Sequence, residues 1–210
     1  MDKASVVCFL EDLMQEQMIH AIVRRIVTDL GVHPRSLNIR SRNSSGGHPA
    51  AIGAFDRYAE DLERGNEPLQ DLVVLAVDTD CRPEVRRELS GVVERIARLT
   101  CVGLALPDPY VERWYLLDAE ALKKAVGSGP EGAYPRTCDR SYYKTELRKV
   151  LRASGAVPIL GGYEYADLIV PEMDLYQCGR LEPGLGRFIE DIRACVRLWS
   201  HRAGERMAPD

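Results

Sequence analysis

Two aspartates separated by one residue follow an apolar run in the first half of the sequence. Residues 72–77 have the sequence LVVLAV, and Asp78, Thr79 and Asp80 come directly after them. A run of this kind is typical of a strand that is covered on both faces of a parallel sheet. The two carboxylates can be oxygen ligands for a divalent cation, or Asp80 can cap the helix that follows.

Acidic residues also follow two other apolar segments. Glu11 ends the segment SVVCFLE at residues 5–11, and Glu112 comes shortly after CVGLALP at residues 101–107. The carboxyl ends of neighbouring parallel strands meet at one edge of a sheet, which is where open α/β sheets bind ligands. If the first and third strands are neighbours, Glu11 converges there with the aspartate pair. Carboxylates this close raise one another's pKa unless a cation neutralises them, and Mg²⁺ or Mn²⁺ is the natural occupant.

Strand-like and helix-like segments alternate along the first part of the chain. The predicted strands are 5–11, 36–40, 71–78 and 101–107, and the predicted helices are 14–31, 50–65, 83–100, 110–127, 141–155, 162–170 and 183–199. Such alternation favours an α/β fold with a mostly parallel sheet flanked by helices. We therefore expect a single domain over residues 1–210, with a core at 1–127 and a helical C-terminal portion at 128–210 packed on the sheet.

The composition limits the compartment and the partners. No apolar run is long enough to span a bilayer, and the N-terminal one is too short for a signal peptide, so we expect a cytoplasmic protein without a membrane partner. Of the six cysteines, Cys8 and Cys101 lie in strand-like runs and are expected to be buried thiols in a reducing compartment. A formal net charge of −4 disfavours strong, indiscriminate binding to nucleic acid.

A first strand ending in Glu11, a helix, and a later apolar strand ending in D-x-D together resemble the Toprim domain. This Rossmannoid domain is shared by topoisomerases, primases, OLD-type nucleases and small bacterial defence nucleases. The resemblance implies that Glu11 is a general acid or base and that Asp78 and Asp80 coordinate Mg²⁺. PDPYVERWYLLD at 107–118 is similar to the P-x-x-E-x-W-x-L-x-D segment of a stand-alone bacterial Toprim-like family of unknown function. We take its acid, Glu112, as a candidate ligand of a second metal ion, with a structural role for it left open.

Two positions depart from the Toprim pattern. Asp12 stands where a glycine usually follows the glutamate, and Gln15 stands where an acid often occurs four residues after it. Without a glycine the turn is less free to adopt unusual dihedral angles, whereas Asp12 is a residue type that can cap the first helix. The departures keep open a catalytically inert site. An inert Toprim-like binding subunit is therefore the alternative function.

Basic residues that could contact a phosphate backbone occur in two segments. HPRSLNIRSR supplies Arg40 and Arg42 beside a polar, glycine-containing loop at residues 41–49, and YYKTELRKVLR supplies Lys144. Side chains of this type can bind phosphates or lie on a solvated face. We take Arg40, Arg42 and Lys144 as candidate nucleic-acid-binding residues, and Glu11 and Lys144 as candidate catalytic residues.

These residues together predict an Mg²⁺- or Mn²⁺-dependent nuclease. The resemblance implies phosphodiester hydrolysis of DNA or RNA in bacterial defence or DNA repair, beside an ATPase partner of the ABC or OLD type. The few basic residues fit a subunit that binds nucleic acid only weakly alone, and homo-oligomerisation is left open. A phospho-receiver domain ranks lower, because no strand ending in lysine follows CVGLALP. Phosphatases with D-x-D usually carry that motif on their opening strand.

Overall fold

The fold is built on one all-parallel sheet of four strands. The computed structural model describes residues 3–43, 46–130, 132 and 134–205, so Ser44 and Ser45 of the predicted loop at 41–49 lie outside the described residues. The strands are β1 (Ala4–Leu10), β2 (Leu37–Asn43), β3 (Leu72–Ala76) and β4 (Cys101–Ala105). Their order across the sheet is β2-β1-β3-β4. The predicted α/β class and all four predicted strands are confirmed.

The strand register brings the segments after three strands to one edge. Leu10, the last residue of β1, pairs with Asn43 on one side and with Ala76 on the other. β2 is longer than predicted, because it continues through Asn43 into the segment expected to be a loop. The residues that follow β1, β2 and β3 therefore leave the sheet side by side.

Helices cover both faces of the sheet. They are α1 (Leu13–Asp29), α2 (Gly47–Glu63), α3 (Val85–Ala97), α4 (Val111–Tyr115), α5 (Ala119–Val126), α6 (Arg140–Ala153), α7 (Ala166–Ile169), α8 (Leu175–Leu181) and α9 (Pro183–Glu205), with short 3₁₀ turns at Pro34–Ser36, Tyr163–Tyr165 and Val170–Glu172. Side chains alternate along a strand, so Val74 faces one apolar core and Val73 the other. The core on the Val74 side contains α1 and the helical C-terminal portion, whereas α2 and α3 cover the opposite face.

The predicted helix at 110–127 is wrong in one respect, because the structure divides it into α4 and α5. Asp118 accepts a hydrogen bond from the backbone N–H of Ala121 at 2.9 Å, and it thereby caps the start of α5. Its other carboxylate oxygen accepts the backbone N–H of Asp174 at 2.8 Å. The apolar periodicity of the segment continues through this break, which is why periodicity alone predicted one helix.

The C-terminal portion differs in detail from the prediction but packs where it was expected. The helix predicted at 162–170 is a 3₁₀ turn followed by the four-residue α7, and α8 was not predicted. Trp114 on α4 stacks on Phe188 of α9, with ring centroids 6.3 Å apart. Both side chains are fully buried, so this contact ties α9 to the core. Among the helices described, none has both the length and the apolar character needed to cross a membrane.

Candidate acidic site at the carboxyl edge of the sheet

Glu11 and Asp78 contact each other where β1 and β3 end. The backbone N–H of Asp78 donates a hydrogen bond to Glu11 Oε1 at 2.8 Å. The Glu11 side chain is 8% exposed and Asp78 is 7% exposed, so water screens their charges only weakly. The structure thus brings together two of the predicted site residues, because the strands that end in them are adjacent and parallel.

Gln15 links these two acids. Its side-chain carbonyl accepts the backbone N–H of Glu11 at 3.0 Å, and its amide donates to Asp78 Oδ1 at 3.1 Å. The backbone N–H of Val111, at the start of α4, donates to the same oxygen at 3.0 Å. Two neutral donors therefore stabilise the same oxygen of Asp78.

Asp12 fulfils the capping role that its residue type predicts. Its carboxylate accepts the backbone N–H of Gln15 at 3.0 Å and caps α1. The backbone φ of Asp12 is −155°, an extended conformation open to any residue, so the turn does not require a glycine. The aspartate at this position therefore introduces no backbone strain that would redirect the Glu11 side chain.

Burial raises the pKa of Asp78 well above its ordinary value. The negative charges of Glu112 and Glu11 raise the pKa further, and the hydrogen bond from Gln15 opposes the rise only in part. Such a carboxyl group holds its proton to higher pH than usual, and a nearby cation would favour its ionised form. Asp78 is therefore a group whose protonation would respond to a bound metal ion.

Glu112 forms an ion pair with a basic residue, and its charge contributes to the raised pKa of Asp78. It is 3% exposed on α4, and Lys144 Nζ on α6 lies 3.2 Å from its Oε1. Burial raises the pKa of Glu112, and the charge of Lys144 opposes that rise. The structure therefore places Lys144, predicted as a nucleic-acid-binding and catalytic residue, as the ion partner of a buried acid.

Replacement of Lys144 tests this ion pair. Lys144→Met should lower the free energy of unfolding by about 1–2 kcal/mol near neutral pH, a figure below that of fully buried pairs because the Lys144 side chain is 39% exposed. The loss should shrink in acid, where Glu112 can take up a proton. Urea denaturation near neutral pH and in acid measures the free energy of unfolding under each condition. The double variant Lys144→Met, Glu112→Gln should recover most of the loss, and an equal loss at both pH values would contradict the ion-pair role.

His48 joins the site although the sequence analysis gave it no role. On the first turn of α2, its Nδ1 lies 3.4 Å from Glu11 Oε1, and its side chain is 15% exposed. That separation is long for a hydrogen bond, so the contact is mainly an ion pair when the imidazole is protonated. The contact with Glu11 raises the pKa of His48, burial opposes this, and the charge of Asp80 acts with Glu11. The sequence held one signal for this role of His48: the segment GGHP follows β2, which lies beside β1.

The raised pKa of His48 gives a pH dependence of defined sign. A histidine whose pKa is higher in the folded protein contributes stability that is fully present below its ordinary pKa of about 6.5 and is lost as pH rises through the folded-state value. Thermal melting of wild type and His48→Gln should therefore differ most in mild acid, with wild type the more stable, and the difference should decline towards pH values of about 9. A difference that does not change with pH would exclude the Glu11–His48 ion pair.

Asp80 caps no helix, and its charge is close enough to His48 to raise the pKa of that imidazole. α3 begins at Val85 and Glu84 precedes it, so the interpretation of Asp80 as a cap for that helix is wrong. Asp80 is exposed, and its backbone N–H donates to the carbonyl of Pro109 at 3.1 Å. It has a φ of 50° and Cys81 a φ of 62°, in the left-handed region that residues other than glycine adopt at a cost.

Two connections hold this strained turn. Cys81 forms a disulfide with Cys138, with Cα atoms 5.9 Å apart. Thr79 Oγ1 donates to Asp108 Oδ1 at 2.8 Å, and the guanidinium of Arg136 donates to both oxygens of Asp108 at 2.8 and 2.9 Å. The turn that carries Asp80 is thus tied twice to the segment that leads into α6.

The cysteines only partly follow the sequence prediction. Cys8 is a fully buried thiol, as predicted, and Cys101 is a thiol that is only partly buried. The disulfide between Cys81 and Cys138 was not predicted, and such bonds are rare in reducing compartments. The buried thiol of Cys8 is consistent with the expected reducing compartment, whereas the disulfide argues against it.

The basic residues of β2 lie at the edge of the sheet. Arg42 forms an ion pair with Glu67 at 2.8 Å, and its guanidinium lies 5.6 Å from the ring centre of Phe9 and 5.1 Å from that of Tyr58. Both arginines are exposed, but Arg42 is held by these contacts with the protein's own surface. Of the two, Arg40 is the better placed to contact a ligand.

The chemistry of the site suits a hard cation, although no complete metal cage is present. Within residues 3–43, 46–130, 132 and 134–205, no group of three or more His, Cys, Asp or Glu side chains is arranged to hold a metal ion. The converging donors are carboxylate oxygens, which fit Mg²⁺ or Mn²⁺ better than softer metals. Comparisons with protein-family models, curated proteins and solved structures found no match.

Proposed function

We propose that this protein is an Mg²⁺- or Mn²⁺-dependent nuclease of Toprim type that hydrolyses phosphodiester bonds at the acidic site. One observation carries the proposal, the contact of Glu11 with Asp78 at the ends of two adjacent parallel strands. Asp80 lies exposed beside them. A buried carboxyl surrounded by further acids is costly to ionise, and a divalent cation is the simplest compensation.

The residues of the site can be given separate tasks. A bound divalent cation would withdraw charge from a phosphodiester oxygen and lower the pKa of a water molecule. Asp78 and Asp80 would hold that cation, and Glu112, paired with Lys144, adds negative charge near Asp78. Glu11 accepts a proton from the attacking water and returns one to the leaving oxygen. Protonated His48 holds the Glu11 carboxylate in place.

Partners and compartment form part of the same proposal. The net charge of −4 supports a subunit that binds nucleic acid weakly alone. The Toprim resemblance is what suggests an ATPase partner and a role in bacterial defence or DNA repair. The proposed location is the cytoplasm. In that compartment the disulfide at Cys81 would be exposed to cellular reductants. Alkylation of thiols before cell lysis, followed by mass analysis of Cys81 and Cys138, determines its redox state in the cell.

A second candidate is a catalytically inert binding subunit. Gln15 supports it, because its amide already donates to Asp78 Oδ1 and so supplies part of the compensation that a cation would give. An inert subunit would bind nucleic acid or its partner without hydrolysis. It would also show no stabilisation by Mn²⁺, whereas a protein that binds the ion only when folded is stabilised by it.

Cleavage assays on the purified protein test the proposal. Wild type should nick a supercoiled plasmid or cut a single-stranded oligonucleotide with Mn²⁺ or Mg²⁺, and should not do so in EDTA. Glu11→Gln removes the proton acceptor and should slow cleavage by about 100-fold or more. Glu172→Gln, the same change at an exposed position, is the matched control and should cleave like wild type. Absence of cleavage by wild type, even with its ATPase partner, would favour the inert subunit.

A further inference from the structure

A cavity of about 440 Å³ opens beside the acidic site, between the start of α1 and the middle of α6. It shares residues with the surroundings of that site. Lys144 lines the cavity and also pairs with Glu112. Asp12 lines it as well, and the charge of Asp12 contributes to the raised pKa of Asp78. A molecule in the cavity would therefore lie next to the proposed reaction centre.

One wall of the cavity is basic. Lys144 and Arg148 are four residues apart on α6, which places them on the same face of that helix. Whereas Lys144 is paired with Glu112, the guanidinium of Arg148 is exposed and has no hydrogen-bond or ion-pair partner in the described part of the chain. A guanidinium presents a planar fork of donors that matches a phosphate group. Arg148 is therefore suited to bind an anionic ligand.

The loop beside Arg148 adds apolar side chains to the lining of the cavity. Ile159 is 83% exposed and Leu160 is 45% exposed, and both line the cavity with Leu13. The Glu164 carboxylate accepts the backbone N–H groups of Ile159 at 2.7 Å, Leu160 at 3.2 Å and Gly162 at 3.0 Å. These bonds fix the loop while its large apolar side chains face solvent. Apolar surface kept in water by a defined structure often marks a binding site.

We infer that this cavity binds one unpaired nucleotide of a single-stranded nucleic acid, DNA or RNA. The inference rests on the proposed function and adds the strandedness of its substrate. A phosphate would bind Arg148, and the flat face of a base would lie on Ile159 and Leu160. A base within a duplex is stacked on both faces, so it reaches such a surface only after extrusion. The volume is within the range of small-ligand sites.

Binding to short oligonucleotides in EDTA tests the inference without any cleavage. Fluorescence anisotropy is measured with labelled oligothymidylate, with labelled oligouridylate, and with a blunt duplex of the same length. Ile159→Ser should weaken binding of the single strands by about fivefold, as expected when roughly 40 Å² of apolar surface is no longer covered by a base. Arg148→Ala should reduce the slope of log K against log salt concentration by about 0.7, the value for one phosphate contact on a single strand. Stronger binding of either single strand than of the duplex would support the inference.

A matched control separates the cavity from the general charge of the helix. Lys149→Ala removes one exposed positive charge from α6 outside the cavity, where Lys149 pairs with Glu146, and it should leave the salt slope unchanged. Equal affinity for duplex and single strand would overturn the inference, as would an unchanged slope in Arg148→Ala. If wild type cleaves nucleic acid but both cavity variants bind normally, the inference fails and the nuclease proposal stands. If the cavity binds single strands but no cleavage occurs, only the nuclease proposal fails.

Discussion

Asp78→Asn is expected to lower the proposed metal-dependent cleavage strongly and, at the same time, to make the metal-free protein more stable. Asparagine keeps the size of the side chain and an oxygen that can accept from Gln15 and Val111. It removes a charge that is buried beside Glu112 and Glu11. We expect cleavage to fall by about 100-fold or more, because Asp78 is a proposed metal ligand and the loss of a group that merely supports a ligand already costs about 10–100-fold. The free energy of unfolding in EDTA should rise by about 1–2 kcal/mol, because functional sites trade stability for activity.

The stability that Asp78→Asn gains depends on pH with a defined sign. Because its pKa is raised, Asp78 holds its proton in the folded protein at pH values where the unfolded chain has released it. Its contribution to stability is therefore fully present below the ordinary pKa of about 3.9 and is lost as pH rises towards the folded-state value. The advantage of Asp78→Asn should accordingly be larger near pH values of about 8 than of about 5.

Two measurements check this result. Urea denaturation in EDTA at the two pH values gives the free energies of unfolding, and melting curves with added Mn²⁺ show whether the metal stabilises each protein. The melting temperature of wild type should rise when Mn²⁺ is added, and that of Asp78→Asn should not. A variant that is less stable than wild type at both pH values, or one that keeps the Mn²⁺ response, would show that Asp78 is not the metal-responsive acid.

Trp114→Ala should cause the largest loss of stability. Trp114 is fully buried and stacks on Phe188 with an angle of 27° between the rings. Truncation of a large buried aromatic side chain costs about 3–5 kcal/mol, a large part of the 5–15 kcal/mol that is typical of whole domains. Since Trp114 anchors the helix that carries Val111 and Glu112, binding of Mn²⁺ should weaken as well.

Urea denaturation again provides the measurement. The midpoint should fall markedly with an unchanged slope, which indicates lost stability rather than a different unfolded state. Tyr176→Ala, an aromatic truncation at a position that is 65% exposed, is the matched control and should change stability by less than about 0.5 kcal/mol. A loss below about 1 kcal/mol in Trp114→Ala would mean that α9 is held mainly by other contacts.

The sheet was predictable because each strand is a local pattern. The apolar runs that contain β3 and β4 can be recognised without knowledge of any distant residue. The division between α4 and α5 could not be predicted in this way. It depends on Asp118 accepting the N–H groups of Ala121 and Asp174, and Asp174 is remote in sequence. The apolar periodicity continues across the position where these bonds start α5.

The site was predictable only as far as strand ends are predictable. Glu11 and Asp78 follow apolar runs, so their convergence needed only the adjacency of two strands. His48 is a single histidine in a polar segment and carries no periodic signal. Gln15 was noted only as a departure, because its bridging hydrogen bonds exist in three dimensions alone. The pairing of Cys81 among six cysteines cannot be deduced from their spacing.

The disulfide between Cys81 and Cys138 also determines how the chain responds to a protease. It closes a covalent ring over a sequence separation of 57, and that ring includes α3, β4, α4 and α5. A single backbone cut anywhere inside the ring leaves both products joined. The fragment with Asp78 and the fragment with Lys144 would migrate as one band on a non-reducing gel and separate only after reduction. A reducing gel would therefore show two fragments. In the cleaved but unreduced protein, the disulfide would still join the fragment with Asp78 to the fragment with Lys144.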